Sequence, residues 1–148
     1  MILSTLTLLV SLMIAPASAE SLGRDLNDQP VVLELAPHKT ALVFWSLDCG
    51  DCGAQMTMLE SQGVHLVAIN TDSGASPSSL RAFSALHSIS SPVISDADAS
   101  LQRMFQLGEG VVVLNELGSL EARVSGSPMQ ALMLTQPASF QHEILASQ

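Results

Sequence analysis

The sequence predicts an α/β domain with a central mixed sheet flanked by helices, and three observations carry that expectation. Residues Ala41-Leu42-Val43-Phe44-Trp45 form an apolar, β-prone run, a helical pattern of Met, Leu and Gln follows, and Val64-His65-Leu66-Val67-Ala68-Ile69-Asn70 is a second apolar run. Strand, helix, strand in that order calls for parallel pairing. Further on, Val111 to Asn115 and Leu120 to Val124 flank Glu116-Leu117-Gly118-Ser119, whose turn chemistry predicts an antiparallel hairpin. The chain has 148 residues, enough for one domain with a proper core, and 47% hydrophobic against 13% charged residues excludes a low-complexity chain.

The elements follow in order. Ile2 to Ile14 is an apolar run of signal-peptide length, and Ala15-Pro16-Ala17-Ser18-Ala19 supplies a small-residue cleavage site before Glu20. The expected organisation is therefore a signal peptide over 1–19 and one domain over 20–148, with an exported, periplasmic or otherwise extracytoplasmic protein as the product. An uncleaved membrane anchor is the alternative. Asn27-Asp28-Gln29-Pro30 is a turn signal, and Val31 to Leu35 reads as a short strand before Pro37 breaks it. Thr40 to Trp45 is continuously apolar enough for a strand buried on both faces. Gly53 to Gln62 is helical, with Gly63 placed as its C-terminal cap. Ser76 before Pro77 reads as an N-cap and first helical turn, leading a helix to about His87. Pro92 to Asp96 is a brief strand, and Asp98 to Leu107 a helix with Leu101, Met104, Phe105 and Leu107 inward. Ser127-Pro128 opens a last helix to about Leu134, and Pro137 interrupts it before a weaker helical tail.

The chemistry concentrates at Cys49-Gly50-Asp51-Cys52, the only cysteines in the chain. Closing so small a loop would stabilise the fold by only roughly 2 kcal/mol, against about 3 for a 15-residue loop. The pair is a poor staple and a better redox switch, and two thiols at this spacing between a strand and a helix form a redox pattern. An inert local disulfide is the plainer alternative. At a helix N-terminus, unpaired amides and the macrodipole favour the thiolate of Cys49, while Asp48 and Asp51 oppose it by like charge. Fourteen acidic residues against five basic ones give a net charge of −9, which argues against binding nucleic acid or anionic lipid. His38, His65, His87 and His142 are scattered without ligand spacing.

With Cys-x-x-Cys at the first strand-helix junction, this order of elements resembles the thioredoxin fold. More narrowly it is similar to exported thioredoxin-like reductases of the cytochrome-maturation and peroxiredoxin-related branch. The likeness spans residues 24 to 135: Asp25 to Leu35 resembles that branch's opening hairpin, Ala41 to Trp45 its strand ending in Phe-Trp, Ser78 to His87 its extra helix inserted after the βαβ start, and Val111 to Gly126 its last hairpin. The resemblance implies thiol-disulfide oxidoreductase activity without a cofactor, with Cys49 attacking a substrate disulfide and Cys52 resolving the mixed disulfide. It implies partners that are cysteine-containing extracytoplasmic proteins, and a membrane or periplasmic electron donor. The chain departs from the pattern where Asp48 replaces a Trp before the first cysteine, where Gly50-Asp51 stands without a proline, and where no buried carboxylate lies on Leu42-Val43-Phe44. The family's cis-proline falls near Glu109 or Gly110, so the expected substrate contacts are Trp45, Glu109 and Gly110. A second class of function stays open, a thioredoxin-like module that turns over nothing and binds a partner, or zinc or copper, through the cysteine pair, with Met56 or Met58 as soft ligands for Cu(I).

Overall fold

The computed structural model describes residues 21–33 and 37–136. The signal-peptide expectation, the end of the Val31–Leu35 strand and the tail after Pro137 all lie outside those residues. The elements are β1 (Ser21–Arg24), β2 (Pro30–Val32), β3 (Thr40–Trp45), α1 (Cys52–Ser61), β4 (His65–Asn70), α2 (Pro77–Leu86), β5 (Val93–Ser95), α3 (Ser100–Phe105), β6 (Gly110–Leu114), β7 (Leu120–Ser125) and α4 (Gln130–Thr135).

β3 is buried at all six positions because it is the middle strand of a five-stranded sheet in the order β5-β4-β3-β6-β7. It pairs in parallel with β4, Trp45 opposite Asn70, and antiparallel with β6, Phe44 opposite Gly110. The sheet is therefore mixed, as the sequence predicts. Alternation along β3 sends Ala41, Val43 and Trp45 to one face, where Met56 and Leu59 of α1, Leu80 of α2 and Ala131 of α4 cover them. Leu42 and Phe44 face the other way, against Ile69, Val112, Leu101 and Leu107, with Val31 of the β1–β2 hairpin packed alongside. Burial of these apolar side chains, each worth about 1.5–3 kcal/mol, holds the helices to the sheet.

The N-terminal hairpin begins before the Asp25 to Leu35 stretch that resembles one: its first arm is Ser21–Arg24, pairing with β2. Met104 is 68% exposed instead of inward, because α3 has only six residues and its buried side is set by Leu101. His38 and His65, apparently unrelated in sequence, stack with ring centroids 4.1 Å apart, since His65 begins β4 beside the start of β3. That pair sits at the end of the sheet opposite the cysteines. Asp96 caps the start of α3, its carboxylate accepting from the backbone N–H of Leu101 at 2.9 Å and of Gln102 at 3.0 Å.

Candidate active site

β3 ends at Trp45, and the chain turns tightly before entering α1, with the Cys49 N–H donating to the Ser46 carbonyl at 3.0 Å. This places Cys49 just before α1 and Cys52 at its first residue, joined as a disulfide with Cα atoms 5.5 Å apart. Their surroundings differ. Cys52 is buried in the core beside Met56, whereas Cys49 is only partly covered. The more accessible cysteine is thus the one that precedes the helix, on the side where a helix N-terminus leaves its first amides unpaired.

The turn is braced by residues that the sequence reading passed over. Asp72, just beyond β4, accepts from Ser46 Oγ at 2.8 Å, from the Leu47 N–H at 2.8 Å and from Asn70 Nδ2 at 3.0 Å. Ser46 Oγ in turn accepts from the Asp48 N–H at 3.2 Å. Burial alone would raise the Asp72 carboxyl, but the bonds from Leu47, Asn70 and Ser46 outweigh it and hold the group below its ordinary range. The signal for this contact was topological: parallel strands ending at the same level place the residues after β4 beside those after β3.

Behind Cys52, the ring of His87 lies against Gly53 so closely that a Cβ at that position would overlap it. His87 is held there by Phe83, ring centroids 4.6 Å apart, and by Thr57 Oγ1, which donates to the His87 carbonyl at 2.6 Å. Phe83 also stacks on Trp45 at 4.4 Å. Trp45, His87 and Gly53 form a wall packed from α2 onto α1.

Cys49 and Cys52 open onto a cleft of about 490 Å³ lined also by Phe44, Trp45, Asp51, Gln55, Glu109 and the Gly126–Pro128 segment. Of the expected substrate contacts, Trp45 and Glu109 are in this wall. Gly110 is not: it is buried in β6 at φ +146°, and a Cβ there would overlap the Val124 carbonyl of β7. Asp51 lines the cleft, and Asp48 lies outside it on the exposed turn. Gly126 donates its N–H to the Glu109 carbonyl at 3.4 Å, and Ser127 Oγ to Gln55 Oε1 at 2.9 Å, tying the segment after β7 to the cleft's other walls. A second cleft of about 490 Å³ runs along Val31–Leu33 and the first half of β4, and it contains no cysteine.

Met56 is wholly buried in the core and Met58 is exposed, and among the described residues no three His, Cys, Asp or Glu side chains gather as a metal site. No helix among the described residues is long and apolar enough to cross a membrane.

No family profile matches the chain, and no curated protein matches its sequence. Solved structures do match its fold. A secreted disulfide oxidoreductase of Mycobacterium tuberculosis, homologous to E. coli DsbE, superposes with a TM-score of 0.58 at 17% identity, covering 74% of this chain and 89% of its own. StoA of Bacillus subtilis gives 0.61 at 20% identity, covering 80% and 97%. A thioredoxin-like protein of Aeropyrum pernix gives 0.62 at 14% identity, covering 76% and 86%. The fold is thioredoxin-like.

Proposed function

We propose that the protein is an exported thiol-disulfide oxidoreductase that reduces or exchanges disulfides in other extracytoplasmic proteins. The observation that carries this is the unequal burial of the Cys49–Cys52 disulfide at the N-terminus of α1, with both cysteines lining a cleft but Cys49 partly exposed and Cys52 only 4% exposed. In the reduced protein, the Cys49 thiolate attacks one sulfur of a substrate disulfide. A mixed disulfide forms and the first substrate thiolate leaves. The Cys52 thiolate then attacks Cys49 Sγ, which closes the intramolecular disulfide and releases the second substrate thiol. Two electrons have passed to the substrate, and a dithiol donor must return them. The disulfide oxidoreductase among the solved structures of similar fold supports the chemistry, and the apolar run of residues 2–14 before Ala17-Ser18-Ala19 supports export.

The test is insulin reduction driven by dithiothreitol. The wild-type protein is expected to accelerate B-chain precipitation well above dithiothreitol alone, and Cys49→Ser to abolish the acceleration. A wild-type rate equal to that of dithiothreitol alone contradicts the proposal.

A further inference from the structure

The two charged side chains that line the Cys49 cleft, Asp51 and Glu109, are both acids. Among the described residues neither carboxylate has a hydrogen-bond or ion-pair partner. Asp51 is the N-cap of α1 but makes no side-chain capping bond, and Glu109 takes part in the fold through its backbone carbonyl, bonded to Gly126. The chain has five Lys and Arg in all, and each is held away from the cleft. Arg24 bonds the Asp28 carbonyl, Lys39 pairs with Glu121 at 3.0 Å, Arg81 bonds the Leu26 carbonyl, Arg103 that of Asp98 and Arg123 that of Phe105. None of these five side chains pairs with the two acids.

We infer that the cleft receives a cationic polypeptide segment, with Lys or Arg beside the reacting cysteine, and that Glu109 and Asp51 are the residues that select it. This rests on the oxidoreductase function proposed above and names its substrate class. The electrostatics favour it twice. Acidic walls attract a basic segment and speed its encounter, by 10-fold or more when a cleft concentrates the field. A basic neighbour on the substrate also offsets the carboxylates that oppose the Cys49 thiolate once the two are in contact.

The experiment uses three disulfide-linked synthetic peptides that differ only in the residues flanking the cysteine: Lys, Ser or Glu. Each is reacted with the reduced wild-type protein and, separately, with dithiothreitol, which corrects for intrinsic differences in leaving-group reactivity. At low salt the corrected rate for the Lys peptide is expected to exceed that for the Glu peptide by about 10-fold, and the ratio to fall several-fold in 0.5 M NaCl as the charges are screened. The Glu109→Gln/Asp51→Asn double variant is expected to bring the ratio close to one. Equal corrected rates in the wild type, or a preference that survives both the salt and the double variant, would overturn the inference. Failure of all three peptides to react overturns the oxidoreductase function and the inference with it.

Discussion

Asp51 occupies the N-cap of α1 without using its side chain as a cap, so its charge sits in the cleft one residue from Cys52 and two from Cys49. A carboxylate near a thiol disfavours the thiolate. Asp51→Asn is therefore expected to lower the Cys49 pKa, read as the pH dependence of iodoacetamide alkylation of the reduced protein. An unchanged profile would show that the helix N-terminus alone sets the thiol. The cysteine pair and its acidic neighbours were legible in the sequence because they are contiguous. The rest of the cleft was not. Gln55 and Ser127 meet across 72 positions, and Gly126 and Pro128 reach the wall through the register of β7 on β6, which no local pattern encodes.

The strands β3 and β4 run in parallel and end together, Trp45 opposite Asn70, and Asp72 uses that coincidence to hold the turn that presents Cys49. Removing the carboxylate leaves the Leu47 N–H and the Ser46 hydroxyl without their partner, which costs about 1–3 kcal/mol for partly buried groups. Asp72→Ala is expected to lower stability by that order in chemical denaturation and to slow insulin reduction. The pH dependence has a definite sign. The folded-state carboxyl titrates below its ordinary value, so its contribution is present at neutral pH, where both states are ionised, and is lost as the pH falls below about 4 and through the folded pKa. Wild type and Asp72→Ala should converge in stability on acidification; a constant gap down to pH 2 would assign the loss to packing instead. The elements themselves were largely readable: Thr40–Trp45 is a continuous apolar run, and Ser76-Pro77 caps α2 as expected, Ser76 Oγ accepting from the Ser79 N–H at 3.1 Å. Short or polar elements were not, since β1 is a strand only because β2 pairs with it, and α3 is too brief for periodicity to fix its buried side.

The molecule as a whole divides its labour between the two ends of one sheet. The disulfide, its bracing acid and its cleft gather where β3 and β4 end, while the stacked His38 and His65 and the Lys39–Glu121 ion pair sit where these strands begin. The net charge of −9 is spread over a surface whose five cations are all engaged elsewhere, so the whole field, and not the cleft alone, favours basic partners over acidic ones. Glu109, just before β6, gives the cleft a charged wall of its own. All of this depends on Cys49 being the attacking sulfur and Cys52 the resolving one. The direct measurement is intact-mass analysis of the reduced Cys52→Ser protein mixed with insulin. The account predicts a mixed disulfide of one insulin chain on Cys49, absent from Cys49→Ser; no adduct on Cys49, or an equal adduct on Cys52 in the Cys49→Ser protein, would contradict it.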